Sequence, residues 1–197
     1  CALPILTLQA NNDLNVGANI TNNLLFSFGS NNSAIQLQAG RNLTVSSGVT
    51  ITAKGADSVG GSAQVDLIGA NNVTVNGSIV VDGGSGGTSG DATINVTSSN
   101  GNILAGSSSN LHAAGGSGTG RINLTAKTGI GATGAPVRID DASPVLTATN
   151  AAGGGSGNIV LSQISGAVNL NGSLQTLTNS AAGGGIDYTA EIGRAHV

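Results

Sequence analysis

The sequence predicts an all-β protein: a β-helix solenoid of about six coils, each of roughly 29 residues and three short strands. Three observations point there. A phrase of apolar residues at alternate positions recurs as Leu6-Thr7-Leu8, Ile35-Gln36-Leu37, Val65-Asp66-Leu67, Ile94-Asn95-Val96, Ile122-Asn123-Leu124, Ile159-Val160-Leu161 and Ile186-Asp187-Tyr188. Its first positions are spaced by 29, 30, 29, 28, 37 and 27 residues. Within each copy, inward aliphatics alternate with polar residues and then meet a Gly/Asn/Ser turn, which is strand spacing rather than helix spacing. Finally, 39% of residues are hydrophobic, mostly Val, Ile, Leu and Ala, while 33 are Gly and only 8% are charged. β-Branched residues pack on pleats, and Gly and Asn accept the positive φ of tight turns.

The elements follow in order. The opening coil supplies Leu6, Leu8, Leu14, Val16 and Ile20, then Phe26 and Phe28, whose shared parity turns both rings inward. Residues 34–61 show the coil plan most plainly. Ile35, Leu37 and Ala39 form a first strand, Gly40-Arg41-Asn42 a turn, and Leu43 and Val45 a second strand. Ser46-Ser47-Gly48 turns again, and Val49, Ile51 and Ala53 form a third strand before a loop poor in hydrophobes. The next coil repeats the plan with Val65, Leu67, Val73, Val75, Ile79 and Val81. Asn76-Gly77 and the run from Gly83 to Gly90 supply its turns. The third of the full coils, counted from residue 34, looks weaker, with Ile103, Leu111 and Ala113 at positions that hold larger groups elsewhere. In the fourth of these, residues 129–139 replace the usual middle strand. Pro136 and Pro144 cannot donate a ladder hydrogen bond and mark strand starts or bulges, so a protrusion is expected between Asp140 and Gly155.

Composition excludes several classes of function. Six Lys plus Arg, spread along a chain of net charge −3, make no basic stripe for nucleic acid. Stacking platforms for single strands are missing, and no apolar run is long enough to span a bilayer. Cys1 is the only cysteine, so there is no internal disulfide.

Candidate sites were weighed one at a time. Asp91, in a Gly-rich loop, superficially suggests a calcium β-roll, but the positions before Ile122 and Ile159 hold Arg121 and Asn158, which breaks the aspartate register. Asp140 and Asp141 are adjacent and so project to opposite sides of a strand, reading as a polar turn rather than a catalytic pair. His112 has no Cys or second His beside it, and Tyr188 is the only Tyr. The Gly clusters carry no phosphate-loop Lys, and no Gly-x-Ser-x-Gly elbow sits between a strand and a helix. The reading is therefore not an enzyme, with no catalytic, cofactor-binding or metal residue and no cofactor. The triplets at Asn42, Asn72, Asn95 and Asn123 match the glycosylation pattern, and they also follow directly from a turn Asn and an outward Thr.

Ala39-Gly40-Arg41-Asn42-Leu43-Thr44-Val45, Gly69-Ala70-Asn71-Asn72-Val73-Thr74-Val75 and Gly129-Ile130-Gly131 with Ala135-Pro136-Val137 resemble repeats of filamentous-haemagglutinin-like bacterial surface exoproteins. Those proteins are exported by two-partner secretion or as autotransporter passengers. The resemblance covers about residues 6–190. It implies a right-handed parallel β-helix, passage through an outer-membrane transporter, a secreted or cell-surface location, and adhesion, aggregation or biofilm formation. Implied partners are host-cell or matrix receptors or neighbouring bacteria, with no nucleic acid and no membrane span. Residues 1–190 then read as one β-helix segment inside a larger protein. Alternatives are a polysaccharide-active β-helix enzyme or a phage or pilus fibre. Residues 191–197 break the repeat's composition and resemble the translated end of a DNA-sequencing adapter, so His196 carries no functional weight. Neither end shows a cap, which predicts exposed sheet edges and self-association.

Overall fold

The computed structural model describes residues 5–23, 32–87, 90–141, 145–151, 157–165 and 175–190. The described elements are all strands, and their pairing is parallel throughout. The first coil holds β1 (Ile5–Ala10), β2 (Leu14–Val16) and β3 (Ile20–Asn23), and the second β4 (Ser33–Ala39), β5 (Leu43–Val45) and β6 (Thr50–Lys54). The third has β7 (Ala63–Gly69), β8 (Val73–Val75) and β9 (Ser78–Asp82), and the fourth β10 (Ala92–Ser98), β11 (Asn102–Ala105) and β12 (Asn110–Ala114). A fifth has β13 (Gly120–Ala126), β14 (Gly129–Ile130) and β15 (Val137–Ile139). Beyond it come β16 (Val145–Asn150) with β17 (Ile159–Gln163), and β18 (Gln175–Asn179) with β19 (Ile186–Ala190). Each strand pairs with its counterpart one coil away, which makes the molecule a parallel β-helix.

One face is a seven-stranded sheet in the order β1-β4-β7-β10-β13-β16-β18. Its register stacks Leu6, Ile35, Val65, Ile94, Ile122 and Leu146 in one inward column. A second column, on the third face, runs Ile20, Ile51, Ile79, Leu111 and Ile139. In the second coil Ile35, Leu37, Leu43, Val45, Ile51 and Ala53 are all completely buried. Alternation within each strand thus sends every second side chain into one dry interior, and stacking removes it from water on both sides. At the amino-terminal end that cover is missing. Leu6 is 36% exposed and Leu8 38%, whereas their neighbours Ile35 and Leu37 are at 0%.

Several sequence expectations are corrected. Ile159 does not continue the column of Ile122; Leu146 does, 24 residues on, and Gln175 follows Leu146. Ile159 instead pairs with Ile130 of the second face, and Ile186 pairs with Ile159. The apparent 37-residue spacing is therefore a change of face, because all three faces use the same phrase of alternating apolar residues. The middle strand of the fifth coil survives as β14, whose Ile130 also pairs with Ile103. A tight turn lies at Ala132–Ala135, where the two residues exchange backbone hydrogen bonds around Gly134, at φ 80°. β16 occupies most of the described part of the region expected to protrude. Pro136 does precede a strand, β15. Nor is the third of the full repeats weak throughout, since Ile103 stacks on the smaller Val73. Phe26, Phe28, Pro144, Cys1 and residues 191–197 lie outside the described residues.

β17 joins two ladders that run separately below it. It pairs with β14 through Ile159 and with β15 through Leu161 and Gln163, and all five of its residues are buried. Here the interior also turns polar. The two aliphatic columns end in Gln175 and Gln163. The Tyr188 hydroxyl donates to Gln163 Oε1 at 2.7 Å and accepts from Gln175 Nε2 at 3.4 Å.

Candidate functional surface

With the interior closed by aliphatic columns, the chemistry of this chain lies on its outside, and the inter-coil register decides which outward groups meet. At the turn after the first face, Asn side chains repeat in a ladder. Asn42 N–H donates to Asp13 Oδ1 at 3.0 Å, Asn72 N–H to Asn42 Oδ1 at 3.2 Å and Asn102 N–H to Asn72 Oδ1 at 2.9 Å. Thr128 Oγ1 closes the ladder on Asn102 Oδ1 at 2.7 Å. Each side chain supplies the acceptor that the next coil's turn lacks, so these residues are structural. The backbone and side-chain hydrogen bonds from Asn42 hold the Asp13 carboxyl below its usual range.

The seven-stranded sheet presents a second ladder. Gln36, Asp66, Asn95, Asn123, Thr147 and Thr176 align outward, beside a column of Thr97, Thr125, Thr149 and Thr178. Asn95 Nδ2 donates to Asp66 Oδ1 at 2.7 Å, and Asn123 Nδ2 to Asn95 Oδ1 at 2.8 Å. At Asn42, Asn95 and Asn123, the amide nitrogen that a glycan would modify is therefore already a hydrogen-bond donor in the folded coil.

The third face and its flanking turns hold a cluster of charged groups. Lys54 Nζ meets Asp57 Oδ2 at 2.8 Å, and that hydrogen bond raises the lysine and lowers the aspartate from their ordinary values. His112 Nε2 lies 3.5 Å from Asp82 Oδ1, and its Nδ1 contacts the Asp140 backbone carbonyl. Asn110 Nδ2 donates to Asp140 Oδ2 at 2.9 Å. This bond, more than the contributions of Ser165, His112 and Arg138, holds the Asp140 carboxyl below its usual range against a partly opposing burial.

The candidates read from sequence take their places accordingly. Asp91 corresponds in register to Thr119, not to Arg121, and accepts the Thr119 N–H at 2.7 Å. That bond ties one loop to the next and is a structural use of the carboxylate. Asp140 and Asp141 do diverge. Asp140 faces Asn110, whereas Asp141 lies beside Gly120 and its carbonyl accepts from Gln163 Nε2. No group of three or more His, Cys, Asp or Glu among the described residues is arranged to hold a metal ion. No helix among them is long and apolar enough to cross a membrane.

Sequence reasoning missed the outward grouping of Asp82, His112 and Asp140. Its signal was available, since His112 and Asp140 are one coil apart, at 28 residues. It was hidden because outward polar residues were weighed singly and not in register.

No protein family matches the chain, and no curated protein and no solved structure shows significant similarity to it.

Proposed function

We propose that this chain is a stalk segment of a large secreted bacterial surface protein, an adhesin exported through an outer-membrane transporter. Its role is to carry an extended, weakly charged surface for attachment, aggregation or biofilm formation, without catalysis. The observation that carries this reading is the continuous inward column from Leu6 to Leu146. Such a column makes a rod that lengthens by about 4.8 Å with every coil. A rod with a filled interior offers reach and area instead of an enclosed pocket. The likeness of its turn phrases to filamentous-haemagglutinin-like repeats supports the same reading.

The test is display on a non-adherent bacterium. Attachment to host cells or matrix, or clumping between cells, should rise above that of a carrier lacking the segment. No rise in any of these overturns the proposal.

One observation favours a second reading, a polysaccharide-active surface. On the outside of the rod His112 lies 3.5 Å from the Asp82 carboxylate and contacts the backbone carbonyl of Asp140 on the next coil. Release of oligosaccharide from acidic polysaccharides, lost in His112→Ala, would establish that reading in place of the first.

A further inference from the structure

The outer face of the seven-stranded sheet carries a pattern of its own. Among the described residues its outward positions are Thr, Asn, Gln and a few aliphatics, with just two charges, Asp66 on β7 and Arg121 on β13. β7 and β13 flank β10, which is the central strand of the seven. The opposite charges therefore stand at equal distances, about 4.8 Å, on either side of the middle of the sheet. Asp66 is held in place by Gln64 and Asn95 at 2.7–2.8 Å. Arg121 is exposed and makes no ion pair among the described residues.

We infer that this face is a self-pairing surface, on which a second copy of the chain docks face to face about a two-fold axis along β10. The inference rests on the reading of the chain as an exposed rod. An axis along the central strand exchanges the β7 and β13 positions and preserves the coordinate along each strand. Arg121 of one copy then lies over the Gln64–Asp66 edge of the other, and symmetry makes the contact twice. An isologous pair of this kind closes on itself and needs no second surface. The rest of the face is uncharged, so nothing else on it opposes like against like.

The area sets the strength. Seven strands, about 4.8 Å apart and about six residues long, cover roughly 650 Å² per copy. A standard stable interface buries about 800 Å² per partner. Pairing is therefore weak for this segment and strengthens in proportion as coils are added, as suits contact between long rods.

Sedimentation and mild oxidation in a Cys1→Ser background test this. The chain should show a concentration-dependent monomer–dimer equilibrium. Arg121→Asp turns two attractions into two repulsions and should raise Kd at least tenfold, and mixing it with Asp66→Arg should restore a heterodimer. Thr97→Cys, on the axis, should crosslink to a dimer, whereas Thr7→Cys on β1 should not, because β1 faces the partner's last strand. Circular dichroism checks that each variant is folded. A chain that stays monomeric, a Kd unmoved by Arg121→Asp, a mixture that fails to recover, or crosslinking through Thr7→Cys in place of Thr97→Cys overturns the inference. The last of these would indicate association through the open edge of β1. Failure here leaves the stalk reading standing, because that reading is judged by attachment of displaying cells.

Discussion

The side-chain oxygen of Asn72 accepts the backbone N–H of Asn102 at 2.9 Å, one coil further along the rod. The contact joins two turns that share no strand hydrogen bond at that position. Asn72→Ala should leave that donor without its partner and cost about 1–3 kcal/mol. Asn72→Asp keeps an acceptor oxygen and should cost less. Chemical denaturation of the two variants side by side checks the order.

Ile94 is fully buried between Val65 and Ile122. Ile94→Ala removes atoms that touch both neighbouring coils, and the strand ladder limits collapse into the space. A loss of about 2–5 kcal/mol is expected. Ile5 is 56% exposed on the outermost strand, and Ile5→Ala should stay within about 0.5 kcal/mol. Equal effects would show that the columns do not set stability.

Glycine matters where coils touch. A Cβ at Gly84 would run into the Ala56 carbonyl of the coil below, while one at Gly17 would meet nothing. Gly84→Ala should cost about 1–3 kcal/mol through overpacking. Gly17→Ala should be neutral, or stabilising by about 0.5 kcal/mol through the unfolded chain. Thermal melts of the two variants separate a steric role for the Gly-rich loops from a merely flexible one.

Acid stability should depend on Asp140. Its folded pKa is lowered from 3.8, chiefly by Asn110. A carboxyl lowered on folding contributes stability above its unfolded value, and that contribution is lost as pH falls through the folded value. Stability should hold between neutral pH and about pH 5 and decline below about pH 4. Asn110→Ala should flatten the decline, measured as midpoint against pH.

Alkaline behaviour should report on Tyr188. Burial raises its phenol from 10.0 to about 12. An acid raised on folding contributes stability that is complete below pH 10 and lost as pH rises through 12. Because Tyr188 is the only tyrosine, phenolate absorbance follows it alone. A midpoint near 10 would mean that the Gln163–Tyr188–Gln175 network is not formed in solution.

The legible part of this protein was its repeat. Alternation at Ile35-Gln36-Leu37 and Leu43-Thr44-Val45 fixed which residues face inward, because side chains on a strand point to opposite sides in turn. A period near 29 residues then required stacking, since one coil alone cannot cover its own apolar face. These are local and periodic properties, and a sequence displays them directly. It does not display which face a strand belongs to. Ile122 is followed by Leu146, while Ile159 continues the ladder of Ile103 and Ile130, and the residues themselves are interchangeable between the two positions. Only the closed hydrogen-bond register distinguishes them, and that register is a property of the assembled coils. The same register brings Asp82 to His112 and Asp140, places Asp66 and Arg121 on either side of β10, and carries Gln163 and Gln175 into the interior. Sequence determined the rod, and tertiary structure determined which side chains meet on it, because contacts between coils depend on a phase that each coil alone does not contain.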